Sequence, residues 1–331
     1  MILSQSEILP LVTGIVRGYE GERGLELHRF SEKQEEFFSK PDPLFPDPFY
    51  DGYFERNCRS LTGVTVDFVT DADTVVFTFG GNECVNGSAV QKNDLFVNGK
   101  PARTADAGEE IRITFRKKEL RRLTLYLAYF NRPYLSSVTL DGADTCRPYF
   151  THGADILFMG DSITHGVGAV HPAHIMPAYV ARRLDAHILN QANSGYIYNV
   201  GTLEKVCSPR LIVLTYGYND RWKRTPEAIR NDTAVYVHRV RELWGDTPTA
   251  AVLPVYSVGE EDKEIFARYL SLNALLREAY EEAGITVIDG SPFIPHNAAR
   301  YLVDGTHPND AGYAYYGRRL ADKLLETGLY R

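Results

Sequence analysis

The chain has 331 residues, 44% of them hydrophobic, and a formal net charge of −7 at pH 7. That length predicts two domains with substantial cores, and the acidic balance excludes a general nucleic-acid-binding surface, which needs clustered positive charge. No apolar run is long enough to span a membrane, and the start of the chain has Glu7 ahead of its short apolar stretch and lacks the basic region of a signal peptide. We therefore expect a cytoplasmic protein.

Neither the basic residues nor the cysteines form a pattern typical of a binding site. The one basic cluster lies between two strand-like runs and is interpreted as a solvated turn; it comprises Arg116, Lys117, Lys118, Arg121 and Arg122. The four cysteines show no CxxC pair and no metal-ligand spacing; they are Cys58, Cys84, Cys146 and Cys207. The sequence thus predicts thiols that stay reduced, and it predicts neither a metal centre nor a cofactor.

The first half of the chain is rich in short β-type runs. Ser31 and Gln34 form a capping box that predicts a short helix, and four prolines within 41–48 indicate a rigid surface loop. Over about 64–140, six β-type runs alternate with turn-forming glycine, asparagine and aspartate. We predict an antiparallel, jelly-roll-like β-sandwich within a first domain of residues 1–150.

The second half alternates buried strands with amphipathic helices. The predicted strands lie at 156–159, 187–190, 211–216, 250–256 and 285–289, and the predicted helices lie at about 173–184, 226–244, 262–283 and 310–326. Thr225 is a candidate N-cap, and Pro226 suits the first turn of the helix that follows it. Such alternation is typical of a parallel sheet covered by helices on both faces. We therefore predict an α/β domain over residues 151–331.

Several polar residues follow these predicted strands directly. Ser162 lies on a turn just after the first strand, where an open α/β sheet binds its ligands. Gly195 and the run Tyr216–Asp220 come after two other strands. Near the end of the chain, Asp304 and His307 stand three residues apart. Such a set offers a nucleophile, a base with a carboxylate to orient it, and donors for an oxyanion.

Together these segments resemble the sequence blocks of the SGNH hydrolases, also called the GDSL esterase/lipase family. Gly160–Ser162 is similar to the first block, Gly195 to the second, Gly217–Asp220 to the third and Asp304–His307 to the last. The blocks stand in the family's order, and the resemblance covers residues from about 154 to 325. It implies a flavodoxin-like, three-layer α/β/α domain preceded by a β-sandwich.

The first half of the chain carries a second resemblance. The run Asn93–Val97 is similar to the GxDLY motif, with asparagine and phenylalanine in place of glycine and tyrosine. That motif is found in a sandwich module ahead of some bacterial SGNH domains. The resemblance implies that the predicted sandwich is a module of this kind.

The SGNH resemblance implies a role for each candidate residue. Ser162 would be the nucleophile, His307 the base that takes its proton, and Asp304 the carboxylate that orients the imidazole. The backbone N–H groups of Ser162 and Gly195 and the side-chain amide of Asn219 would form the oxyanion hole. Each residue also has a structural interpretation when taken singly: Ser162 as a helix N-cap, His307 as a loop histidine, Asp304 as a cap, and Gly195 and Asn219 as turn formers.

Other features of the second half favour structural interpretations. His165, His171 and His174 are close in sequence, but no carboxylate or cysteine completes a metal-ligand set. The glycines of 166–168 follow a strand but lack the third glycine of a dinucleotide loop, and the chain has no GxSxG elbow. Trp222, close behind the third block, either lines a substrate pocket or simply packs in the core or at the surface.

We expect a two-domain serine esterase that hydrolyses small acyl esters through an acyl-enzyme. Carbohydrate O-acetylesterases are prominent among the proteins that this arrangement resembles, so the expected substrate is an acetylated sugar or oligosaccharide. One alternative is a lipase, lysophospholipase or thioesterase of the same fold, although no apolar segment resembles a lid. Another is an inactive carbohydrate-binding protein. The acyl acceptor and the oligomeric state stay open.

Overall fold

The computed structural model describes residues 1–85, 91–257, 262–295 and 299–330. The chain folds into two compact units, and each unit is made of several segments. The first comprises Met1–Ser31, Arg56–Gly153 and Val170–Ala173; the second comprises Glu32–Glu55, Ala154–Ala169 and His174–Arg331. Within the described ranges, no helix is both long and apolar enough to cross a membrane.

The first unit is built from antiparallel sheets. Its strands are β1 (Ile2–Leu3), β2 (Val12–Thr13), β3 (Arg17–Tyr19), β4 (Glu26–His28), β5 (Thr65–Thr70), β6 (Thr74–Cys84), β7 (Lys92–Val97), β8 (Lys100–Asp106), β9 (Ile111–Thr114), β10 (Arg121–Tyr126), β11 (Asn131–Asp141) and β12 (Cys146–Pro148). One sheet has the order β1-β11-β6-β9, and another has the order β12-β5-β10-β7-β8 with β2 also on β5. The small strands β3 and β4 pair with each other.

The two larger sheets of the first unit share one hydrophobic core. Val66 and Leu125 come from one sheet, Phe77 and Val138 come from the other, and all four side chains are fully buried in the same cluster. Two antiparallel sheets that bury their inner faces against each other form a β-sandwich. The sandwich predicted for the first half of the chain is therefore confirmed.

The second unit is built around a parallel five-stranded sheet. Its strands are β13 (Ile156–Gly160), β14 (Ile188–Asn190), β15 (Leu211–Thr215), β16 (Thr249–Val252) and β17 (Thr286–Ile288). The α-helices of the chain are α1 (Gln5–Ile8), α2 (Glu32–Ser39), α3 (Tyr53–Cys58), α4 (Ser162–His165), α5 (Met176–Leu184), α6 (Asp220–Lys223), α7 (Pro226–Trp244), α8 (Lys263–Glu282) and α9 (Asp310–Glu326). Short 3₁₀ turns lie at Leu9–Leu11, Pro48–Tyr50, Pro172–His174, Val200–Thr202, Ser291–Phe293 and Ala299–Tyr301.

The order of the sheet is β14-β13-β15-β16-β17, the flavodoxin-like order, and each neighbouring pair is parallel. Helix α5 packs against α9, and α7 packs against α8. Because crossovers between parallel strands follow a right-handed rule, this strand order puts the two helix pairs on opposite faces of the sheet. The predicted three-layer α/β/α architecture is confirmed. The strand order reverses at β13, so the crevice at its carboxyl end is the position where such a sheet binds ligands.

Residues 32–55 group with the second unit, although the sequence analysis placed them in a domain of residues 1–150. Gln34 is buried and donates from Nε2 to the carbonyl of Thr202 at 2.7 Å. The hydroxyl of Tyr196 donates to Asp42 at 2.9 Å. These partners are more than 150 residues apart in sequence, so no local pattern could have revealed the association.

The basic cluster was predicted to be a solvated turn, but two of its residues, Arg121 and Arg122, belong to strand β10. Arg121 is 5% exposed, begins strand β10 and lies over the ring of Phe115, with 4.2 Å from its guanidinium carbon to the ring centroid. Arg122 binds both carboxylate oxygens of Asp67, at 2.9 and 2.7 Å. The two arginines are therefore structural, because their stems pack and their charges are neutralised locally.

Candidate active site

Strand β13 delivers Ser162 to the carboxyl edge of the sheet. All five residues of the strand are buried, and Asp161 follows as the N-cap of the one-turn helix α4. The Asp161 side chain accepts a hydrogen bond from the backbone N–H of Ile163 at 3.1 Å. Ser162 is thus the first residue of the helix and not its cap. Its hydroxyl is left for another partner.

The loop that carries Asp304 and His307 is closed on itself. Leu302 and Pro308 form an antiparallel bridge, and the Asp304 Oδ1 atom accepts from the backbone N–H groups of Thr306 and His307 at 3.0 and 2.8 Å. These bonds fix the turn that places the aspartate and the histidine side by side. The chain then enters α9 with Asn309 as the N-cap, which anchors the loop.

Ser162, His307 and Asp304 form a continuous hydrogen-bonded chain. The Nε2 atom of His307 is 2.8 Å from the Ser162 Oγ atom, and its Nδ1 atom is 2.7 Å from the Asp304 Oδ2 atom. Ser162 is 6% exposed. The partial burial of Asp304 opposes its ionisation, but the hydrogen bonds from the His307 backbone and ring outweigh that effect and hold its pKa below the usual value. The carboxylate is therefore ionised at neutral pH and can stabilise a charged imidazole.

Gly168 lets the chain behind α4 approach the histidine loop. Its φ is +96°, and a Cβ atom there would lie 2.5 Å from the carbonyl oxygen of Pro308. The hydroxyl of Tyr313 donates to the carbonyl of Val167 at 2.8 Å and ties the same stretch to α9. Only glycine fits this position, since both the backbone angle and the close contact exclude a side chain.

The two remaining candidate oxyanion donors follow the strands on either side of β13. Gly195 follows β14 and has a φ of +78° in a turn where the Tyr196 N–H donates to the carbonyl of Asn193 at 3.2 Å. Asn219 follows β15, and its amide nitrogen donates to the carbonyl of Tyr196 at 3.0 Å. The amide has two N–H groups, and this bond uses one of them. The structure thus places Gly195, Ser162 and Asn219 at three adjacent strand ends.

Two buried carboxylates behind the serine were not singled out by the sequence analysis. Burial raises the pKa of Asp161 to about 7, and the negative charge of Asp220 adds to the effect. Burial also raises the pKa of Asp220 to about 6, although Arg224, at 3.0 Å, opposes the rise. The Asp161 Oδ2 atom has no hydrogen-bond partner among the described residues. Asp161 lies in the first motif block and Asp220 in the third, so the sequence could have identified both aspartates as site residues.

Further polar residues support helix α4 and the histidine loop. The side-chain amide of Asn190, the last residue of β14, donates to the carbonyl of Thr164 at 2.9 Å. The hydroxyl of Tyr218 lies 3.1 Å from the Thr306 hydroxyl, next to His307 in sequence. Asn190 was visible in the sequence only as the end of a predicted strand. The Tyr218–Thr306 contact joins residues 88 positions apart and had no local signal.

The three histidines near Ser162 in sequence have different surroundings. His165 is fully buried in α4. His171 Nδ1 lies 2.9 Å from the carboxylate of Asp94, and His174 stacks on Tyr179. In the part of the chain that the structure describes, no group of three or more histidines, cysteines, aspartates or glutamates could hold a metal ion.

Two cavities lie in the second unit. One, of about 250 Å³, is lined by prolines, polar residues and four aromatic rings, namely Phe37, Phe38, Phe54 and Tyr196. The other, of about 350 Å³, is lined by residues of α6, α7 and α8 and by Arg224, which follows α6. Trp222 is 49% exposed, and the guanidinium carbons of Arg221 and Arg268 lie 4.8 and 5.5 Å from its ring. Trp222 is thus a surface residue beside the second cavity, not a core residue.

Residues 158–315 match the model of the GDSL-like Lipase/Acylhydrolase family. No curated protein matches the chain. Among solved structures, a salicylyl-acyltransferase from a tetracycline biosynthetic pathway is similar with a TM-score of 0.78 at 19% identity, covering 100% of this chain and 99% of that one. A putative GDSL-like lipase from Bacteroides ovatus gives 0.73 at 18%, covering 100% and 98%. An acetyl xylan esterase from the rumen bacterium Butyrivibrio proteoclasticus gives 0.61 at 14%, covering 100% of both chains. At identities this low, the structural similarity shows only that the chain shares the fold of these proteins.

Proposed function

Because residues 158–315 match the model of the GDSL-like lipase/acylhydrolase family, we propose that this protein is a serine esterase that hydrolyses small acyl esters through an acyl-enzyme. The observation that carries the proposal is the hydrogen-bonded chain from Ser162 through His307 to Asp304, with distances of 2.8 and 2.7 Å. A serine hydroxyl becomes a nucleophile when a base stands within this distance and a third group orients the base.

In the proposed mechanism, the Ser162 Oγ atom attacks the ester carbonyl carbon while its proton passes to the His307 Nε2 atom. Asp304 accepts the Nδ1–H bond throughout and stabilises the imidazolium. When the tetrahedral intermediate collapses, the proton on Nε2 goes to the departing alcohol and the acyl group stays on Ser162. Water, deprotonated by the same nitrogen, then releases the acid and regenerates the serine.

The oxyanion of each intermediate would be bound by the Ser162 and Gly195 backbone N–H groups and the Asn219 amide. Their origin at three adjacent strand ends supports this assignment. Each donor of this kind typically contributes about 2.7–4 kcal/mol of transition-state stabilisation.

For the substrate, we propose O-acetyl groups on carbohydrate. An acetyl xylan esterase and several family two carbohydrate esterases are among the structures with this fold. The test is acetate release from a panel of acetylated oligosaccharides, beside 4-nitrophenyl esters of increasing acyl length. Acetyl esters should exceed butyryl esters, with octanoyl esters nearly inert. Rates that rise with chain length would instead favour a lipase.

The nucleophile is tested with a fluorophosphonate probe and the variant Ser162→Ala. The probe should label the native protein once and the variant not at all, and kcat/KM for 4-nitrophenyl acetate should fall about 10⁴-fold or more. Ser6→Ala removes an exposed serine hydroxyl and is the matched control. A native protein that neither reacts with the probe nor cleaves any ester, yet binds oligosaccharides, would be the inactive binding protein.

A second candidate is acyl transfer to an alcohol other than water. It is favoured by the fold shared over the whole chain with a salicylyl-acyltransferase, the neighbour with the highest TM-score reported above. Adding sugar alcohols or phenols to the ester assay separates the two activities. A transferase makes the new ester faster than the free acid, whereas an esterase keeps making mostly acid.

A further inference from the structure

Gly195, a proposed oxyanion donor, depends on its neighbours for its orientation. It is half-buried, whereas Ser194 and Tyr196 on either side of it are buried. Among the residues that the structure describes, none accepts a hydrogen bond from the Gly195 N–H group. Because glycine can adopt a wide range of φ and ψ angles, the direction of this N–H is set by the residues that surround it.

The loop that carries this glycine is bonded to a segment from early in the chain, residues 42–54. The side-chain amide of Asn193 donates to the carbonyl of Phe54 at 3.1 Å. On the other side of the glycine, the hydroxyl of Tyr196 donates to the carboxylate of Asp42 at 2.9 Å. The loop is thus tied to the same segment both before and after the glycine.

Tyr53, the first residue of α3, makes the contacts nearest to the glycine. Its hydroxyl lies 3.0 Å from the Ser194 Oγ atom, and a Cβ atom at Gly195 would lie 3.4 Å from its ring. The peptide unit between Ser194 and Gly195 is planar and contains the Gly195 N–H. Tyr53 therefore supports that plane from both ends, by a hydrogen bond at one residue and by van der Waals contact at the next.

The same loop also holds a second proposed donor. The Tyr196 carbonyl accepts from the Asn219 side-chain amide at 3.0 Å, and the Tyr196 N–H donates to the carbonyl of Asn193 at 3.2 Å. A shift of this turn would therefore move the Gly195 N–H and the Asn219 amide together. Two of the three proposed oxyanion donors depend on one loop.

We propose that Tyr53 is a positioning residue for the oxyanion hole. Its hydroxyl, through Ser194, and its ring, against Gly195, hold the Gly195 N–H in the direction in which it binds the oxyanion. This role rests on the proposed esterase function and adds to it a residue that lies outside the four motif blocks. Donors that are oriented before the reaction stabilise the developing charge without reorganising.

The variant Tyr53→Phe tests the role, because it keeps the ring and removes only the hydroxyl. Loss of a whole donor lowers kcat about 10²–10³-fold, and a donor that stays but points less accurately should cost less. We expect kcat for 4-nitrophenyl acetate to fall about 5- to 20-fold with KM within about twofold of native. The limb of the pH–rate profile that His307 sets should not move, whereas a general disturbance of the site would shift it.

A double-mutant cycle assigns the effect to the bond between Tyr53 and Ser194. Ser194→Ala should also lower kcat, and adding Tyr53→Phe to it should lower kcat no further, because the bond is already lost. Tyr19→Phe, at an exposed tyrosine of the first unit, is the matched control and should keep the native kcat. A native kcat in Tyr53→Phe, or effects of the two variants that simply multiply, would overturn the positioning role.

Amide hydrogen exchange separates this inference from the esterase proposal. Peptides that contain residues 193–196 should exchange faster in Tyr53→Phe than in the native chain, whatever the activity. If the native chain cleaves no ester, the esterase proposal fails, and the exchange rates alone decide whether Tyr53 holds the loop. If esters are cleaved and neither kcat nor exchange changes in Tyr53→Phe, the positioning role fails and the esterase stands.

Discussion

Asn219 is the residue whose proposed role can be measured most directly. Its amide bonds the Tyr196 carbonyl and, in the proposed mechanism, the oxyanion. Asn219→Ala should lower kcat for 4-nitrophenyl acetate about 10²–10³-fold with little change in KM, because the lost bond forms mainly in the transition state. Asn231→Ala, on the exposed face of α7, is the control. Near-normal kcat in the Asn219 variant would remove this residue from the oxyanion hole.

Asp161 should make the protein less stable as the pH rises. Its pKa is about 7 in the folded chain, above the ordinary value of 3.8, so the folded state binds the proton more tightly than the unfolded state. The stability that this proton confers is complete below about pH 4 and is lost as the pH rises through about 7.

Asp161→Asn therefore has a clear signature. Asparagine keeps an oxygen for the Ile163 N–H but cannot ionise. Urea unfolding should give the variant a higher free energy of unfolding than the native chain at pH 8, and the difference should shrink toward pH 4. Asn231→Ala, which removes no titratable group, is again the control for the unfolding measurement. Parallel profiles for Asp161→Asn and the native chain would contradict the buried, protonated carboxyl.

Among the structural elements, the loop that carries the histidine depends on Gly168. A methyl group there would meet the Pro308 carbonyl at 2.5 Å, and that carbonyl belongs to the segment just after His307. Gly168→Ala should lower kcat/KM at least tenfold, since small displacements of a catalytic group are costly. Gly99→Ala separates the causes: Gly99 also has a positive φ, +74°, but a Cβ atom there would meet nothing within 4 Å. Equal activity in both variants would show that the contact is unimportant.

The long elements were predictable from sequence, whereas the one-turn helices beside the site were not. Helix α7 occupies the predicted 226–244, because Thr225 caps it and its apolar residues repeat at helical spacing. Helices α4 and α6 have four residues each, too few to show any period. The strand predicted over 250–256 ends at Val252 because Pro254 lacks the N–H that a ladder needs.

The candidate site was predictable as a set of residues but not as a geometry. The motif blocks contained Ser162, Asp304 and His307, and the strand pattern placed the serine at a strand end. The sequence could not predict which distant residues bond to the site, such as the Tyr218 hydroxyl that contacts the Thr306 hydroxyl. Such contacts depend on how the whole sheet is ordered, which no local period encodes.

At the scale of the whole molecule, Gln34 ties a segment from early in the chain to the second unit. It exchanges hydrogen bonds with Gln191 at 3.0 and 3.3 Å and donates to the Thr202 carbonyl. Gln34→Ala should lower the free energy of unfolding by about 1–3 kcal/mol, because buried polar partners lose their bonds. Lys33→Ala, at an exposed position on the same helix, is the control for denaturant unfolding. Equal midpoints would show that α2 contributes nothing to the second unit.

Residues 32–55 belong to the second unit but precede most of the first unit in sequence, and this order affects synthesis on the ribosome. Gln34 leaves the ribosome 157 residues before Gln191, which at typical elongation rates is roughly ten to thirty seconds. During that interval the aromatic stretch that includes Phe37, Phe38 and Phe45 has not yet met Tyr196, whose ring these three residues contact in the folded chain. A nascent chain that exposes such a stretch is a substrate for chaperones. A gene fusion that replaces the sequence after residue 150 would remove Tyr196 and leave the stretch exposed permanently.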